Sequence, residues 1–285
     1  MKLGIFTFNT DYTIRPDDLA IAAEERGFES VWFPEHTHVP ASRETPFPTG
    51  GDLPREYVDM LDPLTSCAAA AVVTKKLVVG TAVCLMNEHD IFALANAVAS
   101  IDLLANGRFE FGVGAGWIAE EMVNHGFRFE ERWAVLEDRL KALKVLWTED
   151  ESTYHGKYIN FDKVWSYPKP LQKPHPPIIL GTLASEWGRK RTAAYADGWI
   201  PLSPVHGEFL EKDILDFHEK LREVGRDPKD VPISICDNQE TSFDKLRELA
   251  DLGLIYRAIP RCPTKDKDSV LKWLDSYAGL IHELG

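Results

Sequence analysis

The run Arg108-Phe109-Glu110-Phe111-Gly112-Val113-Gly114-Ala115-Gly116-Trp117 decides the fold. Arg108 to Val113 reads as a β-strand, and the glycines behind it mark a tight exit where backbone can approach a neighbour or a ligand closely. The same pattern, an apolar β-rich run followed by a helix-like stretch, occurs eight times in 285 residues. The unusual residues stand at the ends of those runs: Glu35 and His36, Ala82 and Val83, Gly112 to Trp117, Gly181 and Thr182. This predicts an α/β fold, a (β/α)8 TIM barrel forming one domain over residues 1–285, with insertions on the carboxyl face. Chemistry in such a barrel gathers on the loops leaving the carboxyl ends of the strands, so an enzyme is expected.

Working outward, Lys2 to Phe8 is the first strand and Asp17 to Arg26 the first helix, stopped by Gly27. Ser30 to Phe33 is the second strand. A long Pro- and Gly-rich loop, Glu35 to Asp59, follows and reads either as an active-site cover or as a plain surface loop. Asp62-Pro63 opens an Ala-rich helix that ends at Lys75-Lys76. Leu77 to Leu85 is the third strand, Ile91 to Leu104 a helix, and Glu131 to Trp147 the helix after the fourth strand. Glu151 to Pro170, with its aromatics around Gly156, reads as a β-hairpin insertion. The remaining strands are Ile178 to Leu180, Gly198 to Pro201, Val231 to Cys236 and Leu254 to Ile259. Their helices are Ala184 to Ala196, Glu208 to Val224, Leu246 to Leu252 and Lys267 to Leu284.

Composition narrows the class. Hydrophobic residues are 44% of the chain and charged residues 27%, a globular balance that excludes wholesale disorder. A net charge of -13 opposes general binding to nucleic acid or an anionic membrane, while leaving room for a local anion site. Met1 leads straight into the first strand, and Cys67 to Val73 is too short to span a bilayer, so a cytoplasmic protein is expected. Cys67, Cys84, Cys236 and Cys262 lack Cys-x-x-Cys spacing and read as reduced thiols.

Three stretches carry candidate chemistry. Gly112 to Trp117 is a weak dinucleotide fingerprint, since it lies in the fourth unit and no acidic residue caps a matching second strand; a ligand-facing turn is preferred over a tight exit that merely needs glycine. Glu35-His36 places a carboxylate and an imidazole at a strand end, where they can orient a ligand or transfer a proton. His38 reads as structural. His89, His125 and His206 share no ligand spacing, so no metal site is expected. Gly181 to Arg191 starts a helix whose free N–H groups suit a phosphate, with Thr182 or Ser185 adding a hydroxyl; most of Arg189-Lys190-Arg191 reads as a solvated face.

With those residues in view, the chain resembles the luciferase-like flavin and deazaflavin oxidoreductase superfamily, in particular its short deazaflavin-type branch. The resemblance rests on Val31-Trp32-Phe33-Pro34-Glu35-His36, Val79-Gly80-Thr81-Ala82-Val83, Ala99 to Arg108, Gly112 to Trp117, Pro176 to Gly181 and Ala196-Asp197-Gly198-Trp199, in that order. It implies a flavin or deazaflavin lying across the strand ends. By the same resemblance, Glu35 and His36 approach the ring, a non-proline cis peptide at Ala82-Val83 presses on one ring face, Gly114, Ala115, Gly116, Trp117 and Glu120 line the site, and the turn at Gly181-Thr182 holds the phosphate.

The chain departs from that pattern twice: Thr182 replaces a glycine of the phosphate turn, and Leu85 to Asp90 lacks the proline-rich, basic character of relatives. The resulting expectation is an oxidoreductase moving hydride equivalents between deazaflavin coenzyme F-420 and a small organic substrate. His36 is the expected proton donor, Glu35 orients it or contacts the ring, and Trp32, Trp117 and Trp199 wall the pocket. An FMN-dependent monooxygenase served by a separate flavin reductase is the alternative, and a non-catalytic ligand-binding barrel the second. The resemblance also implies a homodimer.

Overall fold

A computed structural model of the chain describes residues 1–202, 210–236 and 242–284. Parallel strands β1 (Lys2–Phe6), β2 (Ser30–Phe33), β3 (Val78–Thr81) and β4 (Phe109–Val113) are followed by an antiparallel hairpin of β5 (Ser152–His155) and β6 (Asn160–Val164). The parallel series resumes with β7 (Ile178–Leu183), β8 (Gly198–Leu202), β9 (Ser234–Cys236) and β10 (Arg257–Ile259). The eight parallel strands run in the order β8-β7-β4-β3-β2-β1-β10-β9, and a parallel bridge between Trp199 and Ile233 brings β8 back to β9. The circle is nearly closed and the predicted barrel stands.

Helices α1 (Pro16–Glu25), α2 (Glu56–Asp59), α3 (Pro63–Val73), α4 (Ile91–Leu104), α5 (Ala119–Asn124), α6 (Arg132–Thr148), α7 (Glu186–Tyr195), α8 (Leu210–Glu223), α9 (Phe243–Asp251) and α10 (Lys267–Leu284) fill the connections. Their starts follow local chemistry. The Asp62 side chain accepts from Thr65 N–H ahead of Pro63, Asp90 accepts from Phe92 and Ala93, and Ser242 accepts from Lys245. That last cap starts α9 at Phe243 rather than Leu246. His206 and Glu208 lie outside the described residues.

Several expected bounds shift. The third strand ends at Thr81 instead of Leu85, because the chain turns at Ala82-Val83 and then makes a single 3-10 turn, Met86–Glu88. The seventh and eighth strands begin later than Val231 and Leu254, which are buried but sit outside the ladders. α5 was not expected at all. All four cysteines are free and buried, and among the described residues no helix is long and apolar enough to cross a membrane.

The barrel interior has two layers. At the amino end, buried Arg257 reaches Glu29 at 2.7 Å and Glu110 at 2.9 Å, and its guanidinium lies 5.0 Å from the Trp32 ring. Burial opposes that charge, but Glu110 and Glu29 outweigh it and hold Arg257 firmly protonated. Trp32 needs the space glycine leaves on the neighbouring strand: a β-carbon at Gly80 would lie 2.6 Å from its ring. Above it, Phe6, Phe8, Ile179, Ile200, Cys236 and Ile259 form an apolar layer beneath the carboxyl ends. The expectation that Trp32 and Trp199 wall a pocket is therefore corrected. Trp32 fills the barrel, its Nε1 donating to Ser30 Oγ at 2.8 Å, and Trp199 packs 4.5 Å from Phe217 of α8.

Candidate active site at the carboxyl ends of the strands

β2 runs directly into Pro34, Glu35 and His36, and successive side chains of an extended segment point apart. Glu35 turns toward the β3 exit, accepting the Leu85 N–H at 2.6 Å and meeting His89 Nε2 at 2.7 Å. Burial opposes a charge on His89, but Glu35 overrides it and raises the imidazole's pKa. His36 turns the other way: its Nδ1 lies 2.7 Å from Glu121 Oε2, and Trp117 Nε1 donates to its Nε2 at 3.2 Å. The expectation that Glu35 orients His36 is corrected, since Glu121 of α5 does so. An indole N–H can only donate, so this network assigns the lone pair to Nε2 and the proton to Nδ1, which donates to Glu121.

The neighbouring residue does something else. Glu120 accepts from Thr45 Oγ1 at 2.7 Å, Thr45 N–H at 3.0 Å and Glu44 N–H at 2.8 Å, pinning the long loop after β2. The Thr45 hydroxyl foremost holds its carboxyl down at about 2. Under that loop Phe47 and Tyr57 stand 5.9 and 6.5 Å from the Trp117 ring, and Tyr57 packs 4.8 Å from Phe8. The loop is thus an ordered aromatic cover over His36, and Glu120 serves it rather than the site interior. Glu120→Ala is expected to speed amide hydrogen exchange at Glu44 and Thr45 about tenfold or more while leaving the His36–Glu121 contact in place. Exchange mass spectrometry of the segment reads this directly.

The glycines at the β4 and β7 exits make room for protein. A β-carbon on Gly114 would lie 2.5 Å from Val83 Cγ2, one on Gly181 2.6 Å from Val83 Cγ1, and one on Gly112 would overlap the Thr81 carbonyl oxygen. The preferred ligand-facing reading therefore gives way to packing for Gly112 and Gly114. The Ala82-Val83 peptide is cis, as expected. Gly116 has a φ of 76°, which lets the chain double back so that buried Ala115 and half-buried Trp117 reach beneath the cover.

At the expected phosphate turn, Thr182 is buried inside β7, and among the described residues its hydroxyl meets only the Leu183 carbonyl at 3.4 Å. Ser185 is the N-cap of α7, its oxygen accepting the Gly188 N–H at 3.1 Å and its own hydrogen remaining to give. Arg189 pairs with Asp213 at 2.8 Å, Lys190 with Glu186 at 2.6 Å, and Arg191 lies over the Trp133 ring, so the basic triplet is structural.

A flat polar-edged ring with a phosphate arm fits these residues. Half-buried Ala82 and the apolar layer offer a face, and the buried Thr10 hydroxyl at the β1 exit and Nε of Arg189 in α7 are polar atoms without a partner among the described residues. The first N–H groups of α7 are not used by the helix itself. Glu35, Cys84 and His89 bring ligand-type atoms within 4.8 Å of one another, but hydrogen bonds already occupy both Glu35 oxygens, and burial, with Glu35, pushes the Cys84 thiol well up. His38 bonds Thr37 at 3.1 Å and Asn124 at 2.9 Å, a structural role.

Sequence reasoning missed Glu121, Glu88, His89, Phe47 and Tyr57. A helical reading of Ala119–Asn124 was the signal available, since one turn places Glu120 and Glu121 on different faces.

A nearly closed (β/α)8 barrel with its polar constellation on the strand exits and an aromatic cover above defines a class of barrel enzyme scaffold. The chain belongs to the luciferase-like monooxygenase family, whose sequence model matches residues 1–237. It is 34% identical over 284 residues to an uncharacterized protein of Mycobacterium tuberculosis, covering 99% of each. It is 29% identical over 305 aligned residues to an F420-dependent glucose-6-phosphate dehydrogenase of Amycolatopsis mediterranei, covering 94% of this chain and 87% of that one. The crystal structure of monooxygenase RslO1 from Streptomyces bottropensis shares the fold with a TM-score of 0.76 at 20% identity, over 99% of this chain and 100% of that one. Relatives thus include a protein named for F420 and another named for FMNH2.

Proposed function

We propose that the protein is an oxidoreductase transferring hydride equivalents between a bound deazaflavin, coenzyme F-420, and a small organic substrate. One observation carries this reading: an imidazole at a barrel strand exit, backed by a buried carboxylate at Nδ1 and presenting Nε2 as an acceptor beneath an aromatic cover. The deazaflavin supplies the hydride chemistry when bound. His36 Nε2 would take a proton from the substrate, displacing the Trp117 N–H, while Glu121 steadies the imidazolium. This replaces the expected donor role with an acceptor role, because Nε2 carries no proton in the resting network. Phe47, Tyr57 and Trp117 keep water away.

The block Trp32 to His36 and the relative named for F420 support deazaflavin over FMN. Fluorescence titration of the purified protein should give at least tenfold tighter binding of F-420, a difference of about 1.4 kcal/mol. Equal or tighter FMN binding rejects this assignment. The relative named for FMNH2 favours a second reading, an FMN-dependent monooxygenase fed by a separate reductase, which oxygen uptake during turnover would select.

A further inference from the structure

Behind His36 lie two buried carboxyls, and the function proposed above uses only one. Glu121 sits on α5 and Glu88 on the 3-10 turn after the β3 exit, both buried. Among the described residues neither Oε1 has a partner, although the two side chains are within hydrogen-bonding reach of each other. Two carboxylates cannot satisfy one another because both only accept. A single proton between them gives both oxygens a partner and removes one of two adjoining buried charges.

The outer oxygens are committed. Glu121 Oε2 faces His36 Nδ1 at 2.7 Å, and Glu88 Oε2 accepts from the Thr37 hydroxyl at 2.8 Å. Thr37 Oγ1 also lies 2.9 Å from Nε2 of His125, whose side chain is 26% exposed. An unbroken series of polar atoms therefore leads from His36 to solvent.

We propose that Glu88 and Glu121 share one proton, and that His36, Glu121, Glu88, Thr37 and His125 form a path for protons between the reaction site and solvent. The inference goes beyond the proposed reaction and rests on it only for the role of His36. A proton arriving at His36 Nε2 is matched by the Nδ1 proton passing to Glu121 Oε2, while the shared proton settles on Glu88. A half-turn of the Glu88 carboxyl brings that proton to Thr37 Oγ1, and the Thr37 hydroxyl, which no longer donates to Glu88, passes its own proton to His125 Nε2 when the ring is in the tautomer that carries its hydrogen on Nδ1; that Nδ1 hydrogen then leaves to solvent. Only protons move, and the reverse sequence refills the site.

The surroundings agree. Glu88 is faced by Glu121 of α5 and by His125 just past that helix, by Glu35 and Thr37 from the β2 exit, and by Cys84 of its own segment; His36 and His89 stand one contact further, on Glu121 and Glu35, and Arg139 of α6 donates to the Met86 and His89 carbonyls nearby. Burial and then Glu121 push the Glu88 carboxyl up to about 9, against the opposing pull of Thr37. Burial and His38 lower His125, leaving a neutral ring with a lone pair near neutral pH.

The test uses the whole chain without cofactor or substrate, so its outcome is independent of the proposed reaction. Infrared spectra at pH 8 should show a neutral carboxyl C=O band in the wild type and in a variant of the exposed Glu130, Glu130→Gln. The band should vanish in Glu88→Gln and shift in Glu121→Gln. Since Glu88 stays protonated when folded and ionises when unfolded, the wild type should lose thermal stability relative to Glu88→Gln as pH rises from 5 to 8. For the path, Thr37→Val should slow solvent exchange of the His36 Nδ1 proton, followed by NMR, at least tenfold, whereas mere loosening would speed it. No band at pH 8, a band indifferent to Glu88→Gln, or unslowed exchange in Thr37→Val would overturn the proposal.

Discussion

His36→Ala is expected to lower the turnover number roughly a hundredfold or more, the usual scale for losing general acid–base assistance, and to leave cofactor affinity little changed. The reason is positional. The imidazole is held at both nitrogens, by Glu121 at 2.7 Å and by the Trp117 indole at 3.2 Å, and neither contact reaches the Ala82-Val83 turn or the α7 terminus that the cofactor would use. Removing the ring strips the acceptor from the site without disturbing those surfaces. Glu121→Gln keeps an oxygen to receive the Nδ1 hydrogen but loses the charge that steadies an imidazolium, so it should fall between wild type and His36→Ala. Steady-state kinetics with an assayable substrate, beside a cofactor titration of each variant, decides the matter; full turnover in His36→Ala would hand the proton to another group or to water.

The second large effect lies at the other end of the barrel. Arg257→Ala should cost about 3–5 kcal/mol of stability, the range for breaking a buried ion pair from one side, because Glu29 and Glu110 would be left facing each other without their cation. For a domain of this size that corresponds to a fall in melting temperature of about 10 °C. A triple variant, Arg257→Met with Glu29→Gln and Glu110→Gln, should recover much of the loss, since most of it comes from orphaned charge and little from lost packing. Thermal unfolding by circular dichroism distinguishes the two, and a single variant as stable as wild type would show the ion cluster to be energetically idle.

The barrel was legible because its strands are short, continuous and apolar, and β2 falls where it was read, over Ser30–Phe33. Strand ends were less legible. Val231 and Leu254 are buried but lie in irregular chain leading into β9 and β10, and a hydrophobic run does not distinguish a buried connection from a laddered strand. α5 spans Ala119–Asn124, under two turns, too short to display a helical period. At the site, the adjacency of Glu35 and His36 suggested a pair, yet an extended strand exit sends consecutive side chains in opposite directions. The partner of His36 is 85 residues away, and no local signal marks such a contact. The glycines of Gly112 to Gly114 were read first as room for a ligand and only second as a tight exit, because the Thr81 and Val83 atoms that require them are visible only across strands.

Glu120 and Glu121 are consecutive, and each grips something different: the first holds the cover at Thr45, the second aims the imidazole. The two grips share one turn of helix but no contact, so the cover can slacken at Thr45 while the imidazole keeps its aim. One short helix thus anchors the roof and the base side by side and leaves each free to answer to its own partner.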